Sequence, residues 1–351
     1  MPRIDLHRHL EGSHSAEALA AVAVAFDIRN PVFFAADTHR FRTADELRER
    51  LVLQAPSDDS TGFYTCIQRA RAAYVHEDAI EALALRAFIE AAAETDGFEM
   101  RASLFSMTRT LFDHEHALWR EISPTTFAER ARDVLLRVLS ARDQAMSETS
   151  KPMLLRVGLS RTFESESHYR AMAAMLVEHK DAICGLDVLG IVAGADREPM
   201  PAALRDILLA LRRDIPDLTI HAGEFADHTS VQRTLALDPE AIGHGVRSVE
   251  SDTVMRDLAD RGVTLEVCPT SNRLLIPTVL AQLEAQRRCT PLVALQRAHV
   301  HCVLGSDDPT PMGTTFDREH TLAAELGVDM AQLERDTDRR WKQLVRRSTS
   351  G

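Results

Sequence analysis

Lysine is nearly absent from this chain. Of its 41 basic residues only Lys151, Lys180 and Lys342 are lysines, so arginine supplies almost all the positive charge. Acidic residues prevail, and the formal charge is −12. A chain with no basic stripe is not built to track a nucleic-acid backbone, so no nucleic-acid partner is expected. No run of about 18 apolar residues occurs, which excludes a membrane-spanning helix. The opening MPRIDLHRH lacks the basic, apolar and small-residue blocks of a secretory leader. The five cysteines (Cys66, Cys184, Cys268, Cys289 and Cys302) are odd in number, scattered and without a CxxC pair. That pattern speaks against a disulfide framework and for a reducing cytoplasm. Three of them sit in or beside apolar runs, where a free thiol behaves as a small hydrophobe. No sequence period recurs, so a repeat architecture is not expected.

What is present is an alternation. The 351 residues are 45% hydrophobic, enough for a large core. Eight short apolar or alternating segments read as strands: RIDLH (3–7), EMRASLF (99–105), MLLRVGL (153–159), ICGLDVL (183–189), LTIHA (218–222), AIGHG (241–245), TLEVCP (264–269) and HVHCVLGS (299–306). Stretches of helical period lie between most of them, at 127–146, 168–180, 201–213, 228–238, 250–261 and 279–286. Strands alternating with helices make parallel βα units, and eight units predict an α/β fold, a closed (β/α)8 TIM barrel. The prediction is one barrel domain over 1–351. Residues 13–98 hold too many helical segments for one crossover, so a helical insertion over the barrel mouth is expected there. Two closing helices are expected after Asp308, and the STSG end is expected to be disordered.

Polar clusters stand at the carboxyl ends of four of these strands. His7 and His9 end the first, His221 and Glu224 follow the fifth, His244 ends the sixth, and Asp307 and Asp308 follow the eighth. In a barrel these ends converge on one face. In a strand, residues i and i+2 point the same way, so His7 and His9 can share one divalent cation. Taken alone they are equally two ordinary histidines. With His221 and Asp307 the set becomes three neutral nitrogens and one carboxylate, which suits a zinc ion with an open position. Zinc lowers the pKa of its water from about 15.7 toward about 7. His244 can orient that water or take its proton, or it can be a histidine satisfied inside the Gly243–Gly245 turn. Glu224 can shuttle a proton, or it can be an acid favoured by a helix N-terminus. Asp307 and Asp308 diverge, so one can face a metal and the other a substrate. Alone, DDP reads equally as an acidic turn.

These segments together, LHRHLEGS (6–13), DVLG (187–190), HAGE (221–224), IGHG (242–245), VCPTSN (267–272) and SDDP (306–309), resemble the adenosine deaminase family of the amidohydrolase superfamily over nearly the whole chain. The resemblance implies a hydrolytic deaminase of a 6-aminopurine, adenosine or a relative of it. One zinc ion per subunit would be held by His7, His9, His221 and Asp307. Glu224 would protonate the ring nitrogen N1, and His244 would activate the water that attacks C6. Asp308 would bond N7, the Gly190 N–H would bond N3, and Glu11 stands where the family often has an Asp on the ribose hydroxyls. Ser271 and Asn272 would be outer supports. Superfamily members with two metals usually bridge them with a lysine after the fourth strand; GLDVLG has none, which implies a single metal. Two positions depart from the pattern. Glu11 adds a methylene where the sugar would sit, and Ile191-Val192 replaces a frequent Asp-Glu. Both bear on the group carried at N9, so aminodeoxyfutalosine and free adenine stand beside adenosine as substrates. Two further readings are a barrel hydrolase of esters or amides sharing only HxH, and a silent family member that binds nucleosides.

Overall fold

The computed structural model describes residues 3–194 and 196–348. Its eight strands are β1 (Ile4–His9), β2 (Gly97–Ala102), β3 (Met153–Ser160), β4 (Gly185–Leu189), β5 (Leu218–Ala222), β6 (Ala241–His244), β7 (Thr264–Val267) and β8 (His301–Leu304). They pair in parallel and in sequence order, β1 through β8. At the seam, Asp307 N donates to His7 O at 2.8 Å, and His9 N donates to Asp307 O at 2.8 Å. The expected (β/α)8 barrel is therefore what forms. No helix among the described residues is long and apolar enough to cross a membrane.

Five predicted strands were too long, ICGLDVL by two residues at its start and AIGHG by Gly245 alone. EMRASLF stops being strand at Ala102, and Leu104 opens a helix that buries Leu104 and Phe105. An apolar run can serve either element, so hydropathy alone could not place that boundary. TLEVCP ends at Val267, and Pro269 starts a short helix, where its missing N–H costs nothing. HVHCVLGS is strand only from His301 to Leu304. Of the STSG end, Ser348 belongs to the helix Met330–Ser348, and 349–351 lie outside the described residues.

Between β1 and β2 lie α1 (Ala16–Ala25), α2 (Ala44–Leu51), α3 (Thr61–Arg71) and α4 (Glu77–Glu94). Ser15 caps α1 by accepting from Ala18 N, and Thr43 with Glu46 forms a capping box on α2. α4 repeats buried residues at helical spacing (Ile80, Leu83, Ala84, Ala87, Phe88, Ala91), and Phe88 stacks on Phe98 of β2 at 6.0 Å. It is therefore the barrel's own first crossover helix, and α1–α3 are the extra part. α3 lies over the mouth, with Phe63, Tyr64, Ile67 and Arg71 lining the cavity there.

The barrel interior is charged where most such barrels stack branched aliphatics. Asp217 pairs with Arg340 of the helix Met330–Ser348 through two bonds of 2.7 Å. Arg156 of β3 bonds Asp217 at 2.8 Å and Glu99 of β2 at 2.6 Å. Glu99 bonds Arg101 at 3.0 Å, and Arg101 reaches Asp187 of β4 at 3.1 Å and Glu266 of β7. These side chains are fully buried. Alternating signs let each charge find a partner, without which burial would be prohibitive. The Arg340–Asp217 pair closes the end of this stack away from the mouth, because Asp217 precedes β5.

Candidate active site

The upper end of this charge stack meets the histidines at the strand ends. His9 Nε2 lies 3.2 Å from both His7 Nε2 and His221 Nε2. Asp307 Oδ1 lies 3.3 Å from His9 Nε2 and 3.6 Å from His7 Nε2. Four donors, one from each of His7, His9, His221 and Asp307, thus fall within 4.8 Å of one another and can hold a metal ion. The outward nitrogens decide the tautomers. His7 Nδ1 sits 3.1 Å from Glu266 Oε2, and His221 Nδ1 sits 3.1 Å from Asp187 Oδ1. Each Nδ1–H donates to its carboxylate, so the Nε2 lone pairs of His7 and His221 face the centre. Lone pairs converging beside a carboxylate are the donor set of a divalent cation, and the residues fit zinc.

Protonation follows the same geometry. Burial pushes His9, His221 and His244 below the ordinary imidazole range, so these rings are neutral. Burial and Arg101 also push His7 down, but hydrogen bonds to Asp307 and Glu266 outweigh them and raise it. Burial raises Asp307, yet the surrounding histidines pull it far below the usual carboxylate range. Glu224 goes the other way. Burial first, then the charges of Asp307, Glu198 and Asp308, holds its carboxyl well above the usual range and therefore protonated. Asp308 is raised by burial and by Asp307 in the same manner.

His244 faces the same centre. Its Nε2 is 3.5 Å from Glu224 Oε2 and 3.9 Å from Asp307 Oδ2, and its Nδ1 is 3.1 Å from Asn272 Nδ2. His244 and Asp307 both have left-handed backbones, with φ of 59° and 60°. Such conformations cost about 1–3 kcal/mol each and gather at functional sites. Gly243 makes room for the pair beside it: a methyl there would come within 2.9 Å of His7 Cε1 and 3.0 Å of His221 Cγ. Gly12 does the same for Asp308, whose Oδ1 would lie 1.9 Å from such a methyl.

The adenosine deaminase family model matches residues 2–343. The chain belongs to the adenosine deaminase family. An adenosine deaminase of Klebsiella pneumoniae is 27% identical over 348 residues, covering 95% of this chain and 90% of that protein. An adenine deaminase of Chelativorans is 40% identical over 118 residues, 33% of this chain and 34% of that protein. The match thus spans about a third of that curated relative's length. Among solved structures, the adenine deaminase of Arthrobacter aurescens superposes with a TM-score of 0.73 at 19% identity, covering 99% of this chain and 98% of that one, a likeness of fold.

The structure brings His7, His9, His221, Glu224, His244, Asp307 and Asp308 together, and Glu11 and Gly190 line the cavity beside them. Gly190 has φ +86°, a conformation that favours glycine. Asn272 reaches His244, whereas Ser271 Oγ is buried with no hydrogen-bond partner. Sequence reasoning missed Asp187, Glu266, Arg101 and Glu198. The first three carried a signal, since Asp187 and Glu266 are each the lone charge in a short strand and Arg101 shares its strand only with Glu99, and a charge is buried there only if paired.

Proposed function

We propose that this protein hydrolyses the 6-amino group of a purine, forming a C6–O bond, releasing ammonia and leaving the 6-oxopurine. The observation that carries the reading is a carboxyl kept protonated, Glu224, set 3.5 Å from His244 beside the donor set of His7, His9, His221 and Asp307. A single zinc ion held by those four residues would supply a water of lowered pKa. Glu224 donates its proton to ring nitrogen N1, which draws electrons away from C6. His244 orients the attacking water and takes its proton. Asp308, held protonated by burial and by Asp307, donates to N7. The Gly190 N–H serves N3.

Adenosine is one substrate of this reading. A specific observation favours a second, free adenine. Glu11, at the sugar position, is buried, and its Oε1 already accepts from Ser103 N at 3.1 Å with the Arg71 guanidinium 3.6 Å away, so that oxygen is taken before any ribose hydroxyl arrives. Zinc-loaded enzyme would be given adenosine, 2′-deoxyadenosine, adenine and aminodeoxyfutalosine, and ammonia release scored for each. Turnover of adenine above adenosine is the expected result. No turnover of any of the four overturns the reading.

A further inference from the structure

We propose that Glu198 is a positioning residue, which fixes the Gly223–Phe225 turn so that the Glu224 carboxyl faces the pocket. The inference rests on the reading of Glu224 as proton donor. Glu198 lies in the loop between β4 and the helix Ala202–Leu211, and it is 4% exposed. One oxygen accepts from Gly223 N at 2.7 Å and from Ser230 Oγ at 2.6 Å. The other accepts from Glu224 N at 3.0 Å and from Phe225 N at 2.7 Å. Three successive backbone N–H groups therefore converge on one carboxylate.

The next helix does not need it. His228–Leu235 has its own cap, with Asp227 accepting from Thr229 N at 2.9 Å. Apart from the Ser230 Oγ contact, which joins that helix to the same carboxylate, the bonds Glu198 accepts all come from the turn. That turn begins with Gly223 at φ +67°, the residue type with the fewest backbone restraints, so it must be held from outside. Hydrogen bonds to an ionised acceptor are roughly twice as strong as neutral ones. The residue beside it extends the anchor: the Arg197 guanidinium lies 4.6 Å from the Phe225 ring centre and donates to Ser60 Oγ at 2.7 Å, at the start of α3. The loop thus ties the turn that carries Glu224 to the helix over the mouth.

The test uses Glu198→Gln and Glu198→Asp in the zinc-loaded enzyme, with three readouts. Glutamine keeps the shape and loses the charge and half of the acceptor capacity. Backbone hydrogen exchange at 223–225 is expected to quicken in Glu198→Gln while zinc content stays at the wild-type level, because His221 is held separately by Asp187. kcat is expected to fall about 100-fold, the scale of an ångström-size misplacement, with KM nearly unchanged. Glu198→Asp keeps the charge and should recover part of both exchange protection and kcat. Quickened exchange with an unchanged kcat, or unchanged exchange, overturns the proposal. So does parallel loss of zinc and activity, which would mark a general structural role. Exchange needs no substrate, so it still reports on the turn if wild-type enzyme deaminates nothing, an outcome that refutes the functional reading instead.

Discussion

Asp187 holds His221 by one carboxylate oxygen and Arg101 by the other, at 3.1 Å each. A metal-ligand candidate is thereby tied into the buried ion stack of the barrel. Replacing Asp187 with alanine frees the His221 ring and strips Arg101 of a partner. Loss of such an outer partner costs about 10–100-fold in metal affinity. Competition with a graded series of chelators should show weakened zinc retention of that size; retention equal to wild type would refute the coupling.

Glu224→Gln removes the proton donor and leaves the metal donors intact. Activity should fall by about 10²–10⁴-fold with zinc content unchanged. The pH dependence has a definite sign. Burial raises the Glu224 carboxyl well above its ordinary 4.5, so the active, protonated form persists at low pH and is lost as pH rises through the raised value. Its contribution to stability has the same sense, full below 4.5 and lost above the folded-state value. A wild-type alkaline limb of kcat that survives unaltered in residual Glu224→Gln activity would argue against the assignment.

Gly243→Ala tests crowding without touching a donor atom. The new methyl would press on His7 and His221 at about van der Waals overlap, 2.9 and 3.0 Å. Overpacking of this kind costs about 1–3 kcal/mol. The expected outcome is loss of bound zinc together with a lower denaturant midpoint, read by metal analysis and urea unfolding.

Some of this was legible in the sequence and some was not. HxH, HAGE and SDDP announce themselves because each lies at a strand end within a few residues. Asp187 sits in DVLG, where only Gly190 drew notice, and Glu266 sits in TLEVCP. Their partners, His221 and His7, are 34 and 259 residues away; the first pair meets across the neighbouring strands β4 and β5, the second only because the sheet curls round to bring β7 near β1. Glu198 is harder still. Its partners are backbone N–H groups, which carry no residue identity. The boundary after Ala102 failed for a different reason, since Leu104 and Phe105 suit a buried strand as well as a buried helix.

Arg340→Met breaks the bidentate pair with Asp217 and leaves a buried carboxylate less well matched. Removing one partner of a buried pair costs about 3–5 kcal/mol. Urea unfolding should show a loss of that order at neutral pH. The loss should shrink under acid. Arg340 and Arg156, against the opposing effect of burial, hold Asp217 far below its ordinary 3.8, so its stabilisation is present above 3.8 and fades as pH falls. A variant as stable as wild type at pH 7 would show that the pair is dispensable.

Arg340 lies 123 residues beyond the Asp217 that it neutralises. A ribosome makes the chain in the opposite order to the one electrostatics requires: every carboxylate of the stack is synthesised before this arginine. Until the helix Met330–Ser348 arrives, a closed barrel would enclose Asp217 without Arg340 and without Arg347, which bonds it at 2.8 Å. Nascent chains should therefore hold their strands in an open, protease-sensitive form and become resistant in one late step, when that helix docks.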